Sequence, residues 1–525
     1  MPYHRPGQYV DEVLLATTVP VNTATAVAAF VAPAKRGPVT PVKVSNWTDA
    51  QKAFGKFNGV AADDVLRQSL YNCFQAGGRD IYAVRAVGAG ATVATLPFLL
   101  KATPGPGAAA LDITALNPGV WGNRIYVEVS AGSTPDRFSL TIREVPTGAA
   151  ITNSQIVDTR WNDLSLNPND ARYAVSIVNS ATSGSYFINL AVRAGYVYAA
   201  NDVIAPSTVI GGDKLAGGTD GAAPLSTDIM AGVYTLDVVT QPLVINLPGV
   251  TDLATITSLT NYVDPNRTRD DVVSPGRGDV FAVLDTDPGT DSDTAVSKVS
   301  TYPLSDYLAA FYPPVIIADP TNNTPGSTKL VSVGPLIVGR FMATDATRGF
   351  FKSPAGNTDG LLSQVVALDP AAVLKNPNLD RLNDGRVNAI KLVPNRGFCI
   401  FGSRTLRSDF VTRYIAPRRT LIAARAELLD ATSFAPFENN DSFLWSAITI
   451  ACEKVLRELW TAGALKGGSA EQAFYVKCNA DNNPASAVEQ GEVHTEVGLA
   501  LQRPAEFFVL QIGQFNGGVV VTTES

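Results

Sequence analysis

Residues 452–484 read CEKVLRELWTAGALKGGSAEQAFYVKCNADNNP, and this stretch predicts a helix, a glycine stop and a strand. The helix begins upstream, after the polar run ENND at 438–441. Its apolar positions recur at helical spacing and form one stripe: Leu444, Ile448, Cys452, Val455 and Leu459. No catalytic group stands out in this stretch. The stretch therefore predicts a packed structural element and indicates no chemistry.

The sequence around this stretch predicts how its elements are supported. Glu453 and Arg457 are spaced to form an i,i+4 ion pair on the helix surface. Ser469 begins a short turn that ends the glycine-rich break. Three strands are predicted after it, within AFYVKC, VHTEVGLAL and RPAEFFVLQIGQF. Together they predict a small sheet with helices packed on it.

Composition limits the class of protein. The chain has 525 residues, 46% hydrophobic and 17% charged, with a formal net charge of -7. This is enough apolar sequence for several cores, and the charge argues against a dedicated nucleic-acid binder. The four cysteines form no C-x-x-C pair and are expected to be reduced, buried thiols. Neither a signal-peptide h-region nor an apolar run long enough to span a membrane is expected.

The predicted fold class is α/β (α+β) and multidomain. It comprises α/β core domains, an inserted β-rich domain of sandwich or barrel type, and extended N- and C-terminal arms. The predicted boundaries are a linking arm at 1–20, an α/β segment packing with the C-terminal domain at 21–90, a β-rich outer domain at 91–220, an α/β middle domain at 221–384, a C-terminal α/β domain at 385–512 and a second linking arm at 513–525.

Some local predictions are specific enough to be tested. A short helix is predicted in WTDAQKAFGKF with Thr48 as its N-cap, and a second in DDVLRQSLYNCFQAGG. Buried strands are predicted in PLVINLP, GDVFAVLDT, PPVIIAD and VGPLIVGRFMATD.

The sequence offers little for catalysis. Its two histidines are His4, in the arm, and His494, which is predicted to face solvent beside Glu492 and Glu496. No nucleophile elbow and no complete phosphate-binding loop occurs. One acidic cluster, LDTDPGTDSD, contains Asp285, Asp287, Asp291 and Asp293, but Pro288 breaks the calcium-loop pattern. No catalytic, cofactor or metal site is predicted.

Charge is unevenly distributed near the C-terminus. Residues 396–425 contain seven arginines and one aspartate, a net +6, whereas residues 426–525 carry a net -8. Two interpretations stay open: a charged seam between subunits or partners, and salt bridges within one domain. A nucleic-acid site is disfavoured because no aromatic side chains are interleaved with the arginines.

Several stretches, taken in order, resemble the tail sheath protein family of contractile-tailed bacteriophages. They are PGQYVDEV, FVAPAKRGP, WTDAQKAFG, LAGGTDG, GRFMATDATRGFFKSPAG, VNAIKLVPNRGFCIFGSRTL, RYIAPRRTLIAARAEL, LWTAGALKGGSAEQAFYVKCNADNNP and QRPAEFFVLQI. The resemblance spans nearly the whole chain. It departs at Phe401, where a tryptophan is common, and at Gln8, where a valine is more usual.

The resemblance implies a structural subunit and no enzyme. Sheath subunits form stacked hexameric rings around a tail tube, and contraction drives the tube through the host envelope. The implied partners are further copies of the chain, the tube, the baseplate and the tail terminator, with no cofactor, nucleic acid or membrane insertion. The implied location is the virion tail, after assembly in the host cytoplasm. The C-terminal domain lies innermost in relatives, so the helix at 441–462 is a candidate tube contact.

The resemblance also assigns linking strands to the two arms. Because an arm cannot bury a face alone, it is expected to add to a neighbour's sheet. The residues predicted for these strands are Tyr9, Val10, Glu12, Val13, Phe507, Phe508, Val509, Val519, Val520 and Val521. The predicted inter-subunit or tube contacts are Arg404, Arg413, Arg418, Arg419, Glu453 and Arg457.

Two alternatives remain at this point. The first is the sheath of a phage-like contractile injection system or tailocin, which shares the same implied mechanics. The second is an α/β hydrolase within 225–370, a region that contains no histidine.

Overall fold

The structure is a computed structural model and has a mixed α/β fold, as predicted. It describes residues 27–57, 64–99, 109–180, 183–199, 202, 204–208, 211–322, 324–409 and 412–506. None of the helices in these ranges combines the length and hydropathy needed to cross a bilayer. All four cysteines are buried free thiols, as expected.

The strands are numbered along the chain. They are β1 Val27–Pro33, β2 Val42–Val44, β3 Ile81–Ala86, β4 Thr95–Leu99, β5 Ala109–Ala115, β6 Ile125–Ala131, β7 Phe138–Glu144, β8 Ile156–Leu164, β9 Ile188–Val192, β10 Asp213–Lys214, β11 Leu243–Asn246, β12 Val280–Leu284, β13 Leu308–Tyr312, β14 Val315–Ala318, β15 Thr328–Val331, β16 Val365–Leu368, β17 Val387–Val393, β18 Gly397–Phe401, β19 Phe474–Lys477 and β20 Glu496–Leu499.

The helices are numbered in the same way. They are α1 Trp47–Phe54, α2 Val65–Gln75, α3 Ala174–Val178, α4 Ser226–Tyr234, α5 Leu253–Val263, α6 Ser292–Val299, α7 Gly334–Arg348, α8 Gly356–Asp359, α9 Asn376–Asp384, α10 Ile415–Ala431, α11 Ser442–Thr461, α12 Ala470–Ala473 and α13 Ala485–Glu489.

The main sheet has eight strands in the order β18-β17-β13-β12-β11-β1-β3-β2. The strands from β17 through β3 run parallel, and β18 and β2 are antiparallel at the two edges. Every residue of β11, β12 and β13 is buried. This is the pattern of a parallel sheet covered on both faces, and it explains why these strands read as continuous apolar runs.

The main sheet takes strands from three of the predicted ranges: 21–90, 221–384 and 385–512. These ranges therefore share one core, and the predicted boundary at 384/385 falls between neighbouring strands β13 and β17. The β18 edge is covered, because Leu362 donates its N–H to Phe398 O at 2.8 Å and Ile400 donates to Gly360 O at 2.8 Å. Such a covered edge cannot accept another strand at these positions.

The prediction of a strand in VGPLIVGRFMATD was wrong, because this run forms helix α7. A short apolar run cannot be assigned to strand or helix by periodicity alone. Pro335 is tolerated in the first helical turn, and the carboxylate of Asp285 accepts the Gly334 N–H at 2.7 Å. A Cβ at Gly334 would lie 2.4 Å from Asn246 Nδ2, so the close approach of helix and strand requires glycine.

The first helices were predicted in the right places with errors at their starts. Asn46, not Thr48, is the N-cap of α1, and its side chain accepts from Asp49 N at 3.0 Å. In α2, Leu66 and Leu70 are buried on the predicted stripe, whereas Val65 is exposed. The remaining strands predicted in PLVINLP, GDVFAVLDT and PPVIIAD are β11, β12 and β14.

Residues 92–219, the β-rich unit, contain a four-stranded sheet β10-β6-β7-β8 and a three-stranded sheet β4-β5-β9. The unit has its own buried apolar cluster, which includes Trp121, Phe138 and Trp161. Its two connections to the main sheet lie side by side, paired through Thr92 and Thr219.

Two buried arginines pack into the junction between the β-rich unit and the main sheet. Arg36 stacks 4.1 Å from the Phe187 ring centroid and donates to Tyr186 O at 3.0 Å. Arg85 donates from Nη1 to Pro118 O at 2.5 Å and from Nε to Ala34 O at 2.6 Å. The junction is therefore held by charge-assisted hydrogen bonds as well as by the chain itself.

Residues 415–506, the C-terminal unit, contain α10, α11, α12, α13 and the two-stranded sheet β19-β20. Helix α11 is capped by Asp441, whose side chain accepts from Phe443 N and Leu444 N. Its buried stripe is Leu444, Ile448, Cys452, Leu456 and Leu459, so the predicted stripe is right except that Leu456 replaces Val455 as a fully buried member.

Candidate assembly interface

The sheet β19-β20 is a two-stranded ribbon with no further strand beside it in the described chain. It pairs antiparallel from Phe474 opposite Leu499 to Lys477 opposite Glu496. Only Phe474 is fully buried among its residues. A two-stranded ribbon is marginal alone, and each open edge presents unpaired N–H and C=O groups that can accept a strand.

One face of this ribbon packs on the helices, and the other is exposed. Phe474, Val476 and Leu499 join the apolar cluster of Leu456 and Leu459. On the open face, Tyr475 lies over Gly498, where a Cβ would come within 2.0 Å of the ring. The Tyr475 hydroxyl donates to Glu496 Oε1 at 2.5 Å. The ribbon is thus fixed to the subunit on one face, and no third strand of the described residues pairs with either of its edges.

The arginine-rich segment forms many of its ion pairs within the subunit. Arg418 pairs with Asp306 and donates to the Tyr307 hydroxyl at 3.2 Å. Arg419 pairs with Asp345 through two hydrogen bonds, one of 2.9 Å, and both side chains are at most 3% exposed. These two arginines lock α10 onto the main-sheet layer. Because these charges are already paired, the interpretation as internal salt bridges holds for both residues.

The predicted contact residues Arg404 and Arg413 also contact groups of their own chain. Arg404 donates to both carboxylate oxygens of Glu506 at 2.8 Å. Arg413 is half-buried and donates to Ser408 O at 3.4 Å. In this subunit structure Arg404 is occupied by an internal partner, so its position does not match that of a free surface contact.

Helix α11 turns a mixed face to solvent. Phe443 and Ile450 lie seven residues apart on this face and are 83% and 68% exposed. Lys454 and Arg457 continue the same face toward the C-terminal end of the helix. The predicted Glu453–Arg457 ion pair is wrong, because no N–O distance within 4.0 Å joins these side chains in the structure.

The arm residues lie outside the described ranges. This applies to all ten residues predicted for the linking strands: Tyr9, Val10, Glu12, Val13, Phe507, Phe508, Val509, Val519, Val520 and Val521. The predicted third strand of the C-terminal sheet, from residue 507 onward, is outside them as well.

Each acidic residue of LDTDPGTDSD has a structural partner. Asp287 pairs with Lys298, Asp291 caps α6, and Asp293 accepts from Arg381 at 2.9 Å. The described residues contain no group of histidine, cysteine and acidic side chains that could hold a metal ion. His494 is exposed, as predicted, and contacts Glu492 at 2.9 Å.

Asp285 occupies the carboxyl end of the main sheet, where open α/β sheets place their ligands. It is 1% exposed and accepts hydrogen bonds from Gly334 N, Asn246 Nδ2 and Gly249 N. Burial raises the pKa of Asp285, against the opposing effect of these hydrogen bonds. The carboxylate is therefore committed to joining β11, β12 and α7.

Sequence reasoning missed the partners of the arginines. Asp306, Asp345 and Glu506 are distant in sequence from the arginines that they bind, by 74 to 112 residues. The role of Asn388, which is buried in β17 and hydrogen-bonded to Arg404, was also not predicted, because its only signal in the sequence is a polar residue in an apolar run. That break in the run VNAIKLV was the available clue.

Comparison with known proteins places the fold. No family model and no curated protein sequence matches the chain. The helical sheath of the anti-feeding prophage, solved in its contracted state, is similar with a TM-score of 0.55 and 19% identity, covering 98% of this chain and 100% of that one. The contracted PVC sheath complex, from an extracellular contractile injection system, is similar with a TM-score of 0.54 and 19% identity over 98% of both chains.

A third solved structure extends the likeness to another source. The crystal structure of a sheath tail protein from Listeria innocua gives a TM-score of 0.58 at 14% identity, covering 91% of this chain and 95% of that one. The three matches cover nearly the full length of this chain and of each compared chain, so the similarity concerns the whole architecture. The family resemblance read from the sequence is thereby confirmed at the level of fold: this chain has the fold of contractile tail sheath proteins.

Proposed function

We propose that the chain is the structural subunit of a contractile phage tail sheath. It polymerises as stacked hexameric rings around a tail tube and contracts to drive the tube through the host cell envelope. The observation that carries this proposal is the incomplete ribbon β19-β20, in a chain that has the sheath fold. Strands lent by neighbouring subunits would satisfy its open edges and link subunits into a lattice.

The arms at 1–20 and 513–525 are the proposed source of those strands. Their Tyr9–Val13 and Val519–Val521 segments have the β-branched and aromatic side chains that favour strands. Strand addition joins subunits through main-chain hydrogen bonds, which tolerate rotation of the bodies that they connect. This property suits a lattice that must stay connected while it shortens.

The partners follow from the same proposal. The exposed face of α11, with Phe443 and Ile450, is proposed to contact the tail tube. The predicted range 91–220 is proposed as an inserted outer domain, supported by its separate sheets and core. The baseplate and the tail terminator would bound the sheath at its two ends, and the assembled protein would reside in the virion tail. We assign it no catalytic activity or cofactor.

The sheath of an extracellular injection system is the second candidate. It is favoured by the anti-feeding prophage and PVC sheaths, which are 19% identical to this chain against 14% for the Listeria sheath tail protein. Neighbouring genes distinguish the two, since capsid and terminase genes accompany only a phage. A hydrolase is not supported, because Asp285 at the carboxyl end of the main sheet is held by structural hydrogen bonds.

Truncation tests the proposal. The full chain and two truncated chains, lacking residues 1–15 or 514–525, are each expressed with the tube protein and viewed by negative-stain microscopy. We expect long sheaths from the full chain and only folded, soluble subunits from the truncated chains. Sheaths of normal length from either truncated chain would contradict the role of the arms.

A further inference from the structure

Glu506 is the last described residue before the segment 507–512, which leads to the C-terminal arm at 513–525, and its carboxylate is well hydrogen-bonded. Arg404 donates to it from Nε and Nη2, each at 2.8 Å, in a two-pronged contact. The Tyr414 hydroxyl donates to the same carboxylate at 2.9 Å. The two charged side chains are 14% and 19% exposed, so the contact is largely screened from water. Such charge-assisted, bidentate contacts fix geometry as well as adding energy.

Contacts other than the one with Glu506 also hold Arg404 in place. Asn388 accepts the Arg404 N–H at 2.7 Å and donates to the Arg404 carbonyl at 2.8 Å, so one side-chain amide clips this backbone from both sides. The remaining guanidinium nitrogen, Nη1, donates to Asn383 O at 2.9 Å. All three guanidinium nitrogens therefore donate hydrogen bonds, and these bonds fix the orientation of the Arg404 side chain.

The Asn388 side chain also connects Arg404 to the main sheet. Asn388 lies in β17, is 1% exposed and donates to Ala310 O of β13 at 3.0 Å. A continuous chain of hydrogen bonds thus runs from Glu506 through Arg404 and Asn388 to β13, an interior strand of the eight-stranded sheet. The ribbon β19-β20, although nearer in sequence to Glu506, is bypassed by this chain of contacts.

We propose that Arg404, Tyr414 and Asn388 form an anchor that ties Glu506, and with it the segment leading to the C-terminal arm, to the main sheet. Force on the arm is then delivered to the most stable part of the subunit instead of to the marginal ribbon. This role rests on the proposed sheath function, whereas the anchor itself is a property of the single subunit. In this proposal Arg404 acts as a positioning residue within one chain.

The anchor is tested first on the purified full-length subunit by amide hydrogen exchange. Glu506→Gln removes the charge, and Arg404→Lys keeps the charge but removes the fork and the bond to Asn383. Arg407→Lys is the matched control, because Arg407 lies in the same loop and forms an exposed ion pair with Asp409. We expect exchange across 501–506 to be about tenfold faster in both anchor variants, with the control within about twofold of the parent chain.

The same data report whether the variants fold, since exchange in β12 and β13 stays slow in a folded subunit. Unchanged exchange across 501–506 in Glu506→Gln would overturn the anchor. Wild-type behaviour of Arg404→Lys would show that net charge alone suffices, which also contradicts an anchor built on geometry.

The mechanical role is tested in assembled sheaths. Sheaths of the Glu506→Gln chain, formed with the tube protein, are expected to match the control in length before contraction and to fragment several-fold more often after it. Equal integrity of the two contracted sheaths would overturn the force-bearing role. If the parent chain forms no sheath, the proposed function fails and the force-bearing role fails with it, while the exchange experiment still decides the anchor.

Discussion

The main sheet and the ribbon β19-β20 belong to the same chain but differ in completeness. In the main sheet, β11, β12 and β13 are buried along their whole length and the β18 edge is covered by Gly360–Leu362. In the ribbon, β19 and β20 pair with no third strand of the described residues, and most of their residues are partly exposed. The subunit thus combines a sheet whose central strands are fully buried with a two-stranded ribbon whose edges, in the proposed function, receive strands from neighbouring subunits.

Charged side chains show the same division. Arg419 and Asp345 pair in the interior, where both are at most 3% exposed. On α11, Lys454 and Arg457 face solvent beside the exposed Ile450. The buried pair orients α10 on the main-sheet layer, whereas the surface charges contribute little to folding. Substitutions in the two regions should therefore separate effects on stability from effects on assembly.

The largest effect is expected at Phe341 in the core around the main sheet. Its ring lies 6.4 Å from Phe281 and 6.3 Å from Phe311, centroid to centroid, and it is fully buried. Phe341→Ala should lower the free energy of unfolding by about 3–5 kcal/mol, because a large cavity replaces the ring. Urea unfolding of the purified subunit measures this. Tyr475→Ala, at a 53% exposed position of the ribbon, is the control and should change stability by less than about 1 kcal/mol.

The second effect is expected at the buried ion pair. Arg419→Met keeps the length of the side chain but leaves Asp345 unpaired, which should cost about 3 kcal/mol or more. Arg407→Met breaks an exposed pair with Asp409 and should cost less than about 1 kcal/mol. Equal losses in urea unfolding would mean that burial does not distinguish the two pairs. The Arg419 guanidinium lies 5.0 Å from the centroid of the Phe341 ring. The losses of unfolding free energy in Phe341→Ala and Arg419→Met should therefore not add in the double variant that carries both changes.

The sequence predicted the elements whose pattern is local. Helix α11, strands β11 and β12 of the main sheet and the ribbon follow from apolar spacing and glycine stops within a few residues, whereas β13, the neighbour of β12, was not predicted. It failed at α7, because Leu336–Val338 is buried on all sides and an apolar run then has no period to read. It also failed wherever the decisive partner is remote, as with Asp345 for Arg419 and Glu506 for Arg404. A charge excess in a segment shows that partners are needed, but only the fold shows where they lie.

A smaller effect is expected from pH at Glu506. Partial burial raises the pKa of Glu506, but the hydrogen bonds from Arg404 and Tyr414 outweigh it and leave the pKa below its ordinary value of 4.5. The stabilisation is therefore complete above pH 4.5 and is lost as the pH falls through the lowered, folded-state pKa. Hydrogen exchange across 501–506, corrected for the intrinsic rate, should accelerate in this acidic window in the parent chain. The Glu506→Gln chain should lack this acceleration, and an equal acceleration in both chains would assign it to another group.

The smallest effect on folding, with the sharpest contrast in assembly, is expected on α11. Ile450→Ser replaces a side chain that is 68% exposed, so the free energy of unfolding should change by less than about 0.5 kcal/mol. If the exposed face of α11 contacts the tube, the same change removes apolar area from that contact and should reduce co-sedimentation of sheath with tube. Ser446→Ala, which lies on the same exposed face between Phe443 and Ile450 but removes no apolar area, is the matched control. Loss of tube binding at unchanged stability would place an interface on this face, whereas co-sedimentation equal to the control would remove α11 from the tube contact and leave assembly to the ribbon alone.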